Sequence, residues 1–197
     1  LTKNVAAFDL GLGCSGFVYG LAIIKGFLEA SGLKNGVLLT ADPYSKVLDP
    51  KDRNTSLLFG DAATATWVGE GGMWSIGQPL YMTDGNLAHY LRVKNGLLEM
   101  NGRQIFNFAV LNVPDQVKKI MERDGLEDKN IDIYCFHQAS AAVLEAIGRK
   151  LSIDRTKMPI DMEKTGNTVS SSIPILLEKY MNKNGFRRIL ISGFGVG

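Results

Sequence analysis

The chain has 197 residues, a formal net charge of +2, a hydrophobic fraction of 45% and a charged fraction of 21%. So small a charge excess argues against electrostatically driven nucleic-acid or membrane-surface binding, and that composition argues against disorder. Cys14 and Cys135 stand far apart and His89 and His137 complete a sparse set, so no disulfide framework, zinc spacing or multi-histidine metal centre is suggested. With no apolar run of transmembrane length and no signal-peptide pattern, the chain reads as a soluble, cytoplasmic α/β protein.

The chain begins with Leu rather than Met, and an apolar stretch at once predicts a strand over 4–10. The run Gly11-Leu-Gly-Cys-Ser-Gly16 then opens a helix reaching about Ala30, with Ser31-Gly32 as its stop. Apolar residues lie nearly all round that helix, among them Phe17, Leu21, Ile24 and Phe27, which places it between layers. Asn35-Gly36 leads into a strand over 37–41; 42–56 is a polar excursion, and 57–68 a turn feeding another strand. Short strands and glycine turns fill 70–96, and a helix follows from about Gly102 to Arg123, stopped by Asp124-Gly125. Next come a buried strand over 131–136, a helix over 141–151, and a helix opened at Gly166 that runs to about Met181. After Asn184-Gly185 the last strand covers 187–192 and gives way to a glycine-rich turn. Glycine and small residues, a helix, Asn-Gly and an apolar strand thus occur at 11–41 and again at 166–192, which predicts a duplicated half-fold divided as 1–96 and 97–197. Because domain termini usually lie at the surface, ends set inside core elements suggest an internal piece of a longer chain.

Cys14 falls at the start of its helix, where free N–H groups and the dipole favour a thiolate and are expected to lower its pKa. The flanking Gly13 and Gly16 leave room for a substrate; the alternative is a small cysteine buried for packing. Cys135, inside an apolar strand, reads as core. His137 follows the strand 131–136 at its carboxyl end, where open α/β sheets place ligands, whereas His89 reads as surface. Asn167 is either a helix cap or an amide donor aimed at a substrate oxygen. A pseudo-twofold between the halves would bring Cys14 and Asn167 to one pocket.

Several motifs occur in a fixed order: Asp9 with Cys14-Ser-Gly-Phe17, Asp49-Pro-Lys-Asp-Arg53, Phe59-Gly-Asp61, Met100-Asn-Gly102 with Phe106, His137-Gln-Ala139, Gly166-Asn-Thr168 with Ser172-Ile-Pro174, and Gly193-Phe-Gly195. The set resembles β-ketoacyl-acyl-carrier-protein synthase III and implies a thiolase-like, layered αβαβα fold of two pseudo-repeated halves, incomplete in this chain. By that resemblance Cys14 takes an acyl group from a short acyl-CoA, with the N–H groups of Cys14 and Val196 as oxyanion hole. His137 and Asn167 then hydrogen-bond the thioester of malonyl-acyl-carrier protein as it loses carbon dioxide. The resemblance further implies Arg53, Gly102, Phe106, Ala139 and Ser140 for CoA and pantetheine, Leu58 and Phe59 for the acyl pocket, no metal or redox cofactor, and a homodimer. Ser140 stands where the family usually has Asn, Ala142 where a basic residue favours carrier docking, and Arg103 where a smaller polar residue is common. A CoA-only condensing relative of the type III polyketide synthases shares the same trio. A non-catalytic dimerisation or chain-length subunit would not need it. Without the family's N-terminal block the chain is expected to expose apolar surface, dissolve poorly and turn over little.

Overall fold

The computed structural model describes residues 3–196. In chain order the elements are α1 (Gly16–Ser31), β1 (Asn35–Ala41), the short α2 (Arg53–Ser56), β2 (Ala63–Gly69), β3 (Leu91–Lys94), β4 (Leu97–Met100), α3 (Gly102–Arg123), β5 (Ile133–Phe136), α4 (Ala141–Leu151), α5 (Ser172–Met181) and β6 (Ile189–Ser192), with 3-10 turns between some of them.

All four residues of β5 are buried, and the alternation of side chains along a strand sends them into two different cores. Ile133 and Cys135 meet Phe17 and Leu21 of α1 and Ile173, Leu176 and Leu177 of α5. Tyr134 and Phe136 meet Ala109, Val113 and Val117 of α3 and Val143, Leu144 and Ile147 of α4. β6 lies parallel to β5, from Ile133↔Ile189 to Phe136↔Ser192, and divides its side chains the same way. Across α1 sits the antiparallel pair β1–β2, where a β-carbon at Gly20 would lie 2.7 Å from Leu38 Cδ1. Four layers result: α3 and α4, β5 and β6, α1 and α5, then β1 and β2. The outer face of the last layer carries Val37, Leu39 and Trp67, which are 57%, 70% and 54% exposed, so the apolar surface expected from the sequence is present. No helix among the described residues is long and apolar enough to cross a membrane.

The strand expected over 4–10 does not form. Residues 3–11 are exposed and have no ladder partner among the described residues; Phe8 only sets its ring against Phe27, 5.4 Å between centroids. An apolar run reports a wish for burial, but a strand also needs a neighbour for its N–H and C=O groups. The shared Asn-Gly is not one conformation used twice. Asn35 and Gly36 lie inside β1 opposite Gly69 and Val68, and a β-carbon at Gly36 would come within 2.8 Å of Ile24 Cδ1. Gly185 instead turns the chain with φ +93°. A different Asn-Gly, Asn95-Gly96, has φ of 52° and 81° and joins β3 to β4 in an antiparallel hairpin that reaches Met100, beyond the expected limit of 96. Likewise α5 begins at Ser172, because 166–171 is spent on a turn and a 3-10 stretch, Val169–Ser171.

Candidate active site

Cys14 stands two residues before α1, buried beneath the turn 193–196. The fit there is tight: a β-carbon on Gly195 would lie 2.9 Å from Cys14 Cβ and 3.0 Å from its Sγ, and one on Gly193 would lie 3.0 Å from the Cys14 carbonyl oxygen. Gly195 holds φ at +131°, a conformation that side chains oppose. The N–H of Val196 and that of Cys14 itself both bear on the thiol and favour its ionised form. Burial outweighs them and pushes the Cys14 pKa up to about 12, with the Asp42 carboxylate adding to the rise. The expected lowering is therefore overturned. A helix dipole contributes about 0.3–1 kcal/mol and fades beyond the first turn, too little against removal of a thiolate from water. Alkylation of Cys14 by iodoacetamide should thus rise about tenfold per pH unit from about pH 7 to about pH 10 with no plateau. A plateau near the ordinary thiol range would contradict this environment.

Asp42, just past β1, accepts from the backbone N–H of Ser170 at 3.1 Å and from the Ser170 hydroxyl. It ties the end of β1 to the 3-10 stretch that leads into α5. Tyr44 stacks on Phe59 with 5.0 Å between centroids, and its hydroxyl would lie 3.2 Å from a β-carbon on Gly13. Burial and the neighbouring Cys14 and Asp42 raise its pKa.

His137 continues β5 and donates its backbone N–H to Ser192 O at 2.9 Å. Its imidazole is buried, with Nδ1 2.7 Å from Ser172 Oγ and the Phe194 ring edge-on at 5.4 Å and 78°. Burial brings its pKa down to about 3, so the ring is neutral throughout the physiological range. Phe194 on His137 and Gly195 on Cys14 are consecutive residues, and this places both side chains along one short turn.

The sequence motif around Phe59 holds Asn167. Asn167 N donates to Leu58 O at 2.9 Å and Gly60 N to Asn167 O at 3.0 Å. A β-carbon at Gly166, whose φ is +63°, would be 2.8 Å from Leu58 O, and one at Gly60 would collide with Thr165 O. Asn167 is not the helix cap that the sequence allowed, since Thr168 stands at the cap of the 3-10 stretch and Ser171 at that of α5; its side chain closes a local turn as well as donating, with different atoms. Oδ1 accepts from Val169 N at 2.9 Å, which leaves Nδ2 to meet Ala139 O at 3.4 Å with a second N–H to spare. Leu58 and Gly60 thus position Asn167 through their backbone, and Phe59 between them supports Tyr44.

The remaining expected residues stand apart. Arg53 is exposed at the start of α2, and its side chain takes no hydrogen bond or ion pair among the described residues. Gly102 is exposed at the first position of α3, and Phe106 packs against the core between α3, α4 and β5. Ser140 caps α4, accepting from Val143 N at 3.3 Å. His89 is exposed beside Tyr90. Sequence reasoning gave no chemical role to Asp42, Tyr44 or Ser172: 42–56 reads as a polar excursion, and Ser172 falls inside the helix expected from Gly166.

Four layers, with Cys14 beside the start of the inner helix α1, His137 at the end of the buried β5 and Asn167 on the segment that leads into α5, make a thiolase-like fold. The sequence matches the 3-oxoacyl-[acyl-carrier-protein (ACP)] synthase III family model over residues 8–85 and the C-terminal model of the same family over 121–197. It is 35% identical over 217 residues to a β-ketoacyl-[acyl-carrier-protein] synthase III of Lactobacillus helveticus, and 36% identical over 214 residues to one of Caldanaerobacter subterraneus. Each match covers 98% of this chain and 65% of the relative. A crystal structure of a 3-oxoacyl-(acyl-carrier-protein) synthase III superposes with a TM-score of 0.90 at 34% identity, covering 100% of this chain and 67% of the other. The chain belongs to the 3-oxoacyl-[acyl-carrier-protein] synthase III family. It spans just under two thirds of the length of these curated relatives.

Proposed function

We propose that the protein carrying this chain condenses a short acyl-CoA with malonyl-acyl-carrier protein, the first condensation of fatty-acid synthesis. The observation that carries this reading is the turn 193–196, which lays Gly195 and the Val196 N–H on the Cys14 thiol and Phe194 on the neutral His137 ring. Cys14 sulfur attacks the acyl thioester carbonyl, the N–H groups of Cys14 and Val196 hold the oxyanion, and CoA thiol leaves with the proton. Malonyl thioester then enters; as carbon dioxide departs, its electron pair passes into the thioester carbonyl, where His137 and Asn167 hydrogen-bond the enolate oxygen. The enolate carbon attacks the acyl group on Cys14, releases the sulfur and yields a β-ketoacyl thioester. Carbon dioxide loss supplies the carbanion, so the scheme calls for no metal or redox cofactor.

On this reading the exposed Arg53 guanidinium meets the nucleotide end of CoA, and Gly102, Phe106, Ala139 and Ser140 flank the pantetheine arm. Leu58 and Phe59, with Tyr44, bound the acyl chain. The two halves 1–96 and 97–197, a homodimer and a cytoplasmic setting belong to the same proposal. Intact mass after incubation with acetyl-CoA and longer acyl-CoAs tests it. An acyl adduct is expected on the wild type and none on Cys14→Ala. No adduct on a protein shown to be folded and complete would overturn the reading. Use of malonyl-carrier protein in preference to free malonyl-CoA separates it from a CoA-only synthase.

A further inference from the structure

Ser172 lies where the two nitrogens of His137 must be told apart. For His137 to donate to a thioester oxygen, Nε2 must carry the proton and Nδ1 must therefore be an acceptor, since the buried ring is neutral. Nδ1 needs a donor beside it. The Val169 carbonyl, the backbone group that bears on the ring, only accepts, and it favours protonation of the ring. The backbone N–H of Gln138 is spent on Ser172 Oγ at 3.3 Å. Among the described residues Ser172 Oγ, 2.7 Å from Nδ1, is the one group hydrogen-bonded at this ring edge with a proton to give, and its alternative is Val169 O at 2.9 Å. With the hydroxyl turned to Nδ1, the serine accepts from Gln138 and donates to His137. With it turned to Val169, Nδ1 must be protonated and Nε2 is bare.

We infer that Ser172 is the positioning residue that selects the Nε2–H tautomer of His137, by donating its hydroxyl proton to Nδ1. This rests on the decarboxylating role given to His137 above, but its first test does not. With ¹⁵N-labelled histidine and no substrate, the ring signals of His137, told from those of His89 by a His89→Gln variant, should show a protonated Nε2 and a bare Nδ1. In Ser172→Ala the pattern should reverse, with Nδ1–H turned to Val169 O; in Ser172→Thr it should stay as in the wild type. Decarboxylation of malonyl thioester should fall roughly 100-fold in Ser172→Ala, the loss typical of one missing donor, and return in Ser172→Thr. The acyl adduct on Cys14 should still form in both. A wild-type His137 with its proton on Nδ1, or an unchanged tautomer in Ser172→Ala, overturns the inference. A missing acyl adduct with the tautomer as described would count against the condensation reading and leave the inference standing.

Discussion

Gly195→Ala abolishes measurable acyl transfer to Cys14 while the protein stays folded. The new methyl would sit 2.9 Å from Cys14 Cβ and 3.0 Å from Sγ, on a residue whose φ of +131° an alanine rarely adopts. Neither neighbour has slack: Cys14 is pinned by the start of α1, and Phe194 by its packing on His137. The turn must therefore swing outward and take the Val196 N–H off the thiol. Backbone strain of this kind costs about 1–3 kcal/mol, which lowers stability without removing the fold. Loss of one oxyanion donor costs about 100-fold or more in rate, and a displaced nucleophile adds to it. The acylation rate by intact mass, beside near-ultraviolet circular dichroism of the same sample, reads both effects. A rate within about threefold of wild type would show that the Val196 N–H has no part in the oxyanion hole.

That turn illustrates what a sequence does and does not disclose. Local signals were legible. Gly32 ends α1 in the left-handed conformation with φ +64°, and Ser140 caps α4, whose span is the expected 141–151. The apolar run before His137 is the buried β5, and Cys135 points into its core as expected. The positions of Cys14 just before α1 and His137 just after β5 were legible because the motifs mark those element ends. Features set by distant residues were not. The pKa of Cys14 depends on its burial and on Asp42, 28 positions on. Gly60 is confined by the carbonyl of Thr165, a contact across 105 positions of sequence that no local pattern reports. The missing strand at 4–10 is the converse case, since its sequence is suited to a sheet and only the ladder partner is absent.

Asn167→Asp and Asn167→Ala separate the two roles of one side chain, because turn closure and donation order the variants oppositely. Aspartate keeps an oxygen for the Val169 N–H, whereas alanine forfeits that hydrogen bond, about 1 kcal/mol. If turn closure were the whole function, the aspartate variant would behave as wild type and the alanine variant would be the weaker. Donation predicts the reverse for catalysis. Alanine removes one of two donors to the enolate, worth roughly 100-fold in decarboxylation. Aspartate removes the donor and puts a carboxylate oxygen against Ala139 O and the developing enolate, so the loss should exceed that of alanine, about 1000-fold. In this buried place the new carboxyl favours its neutral form, and that form regains an O–H donor. Activity of Asn167→Asp should therefore recover as pH falls, while Asn167→Ala shows no such recovery. Initial rates of carbon dioxide release across the pH range, beside thermal unfolding of the three proteins, decide it. An aspartate variant equal to wild type in both would leave Asn167 with turn closure alone.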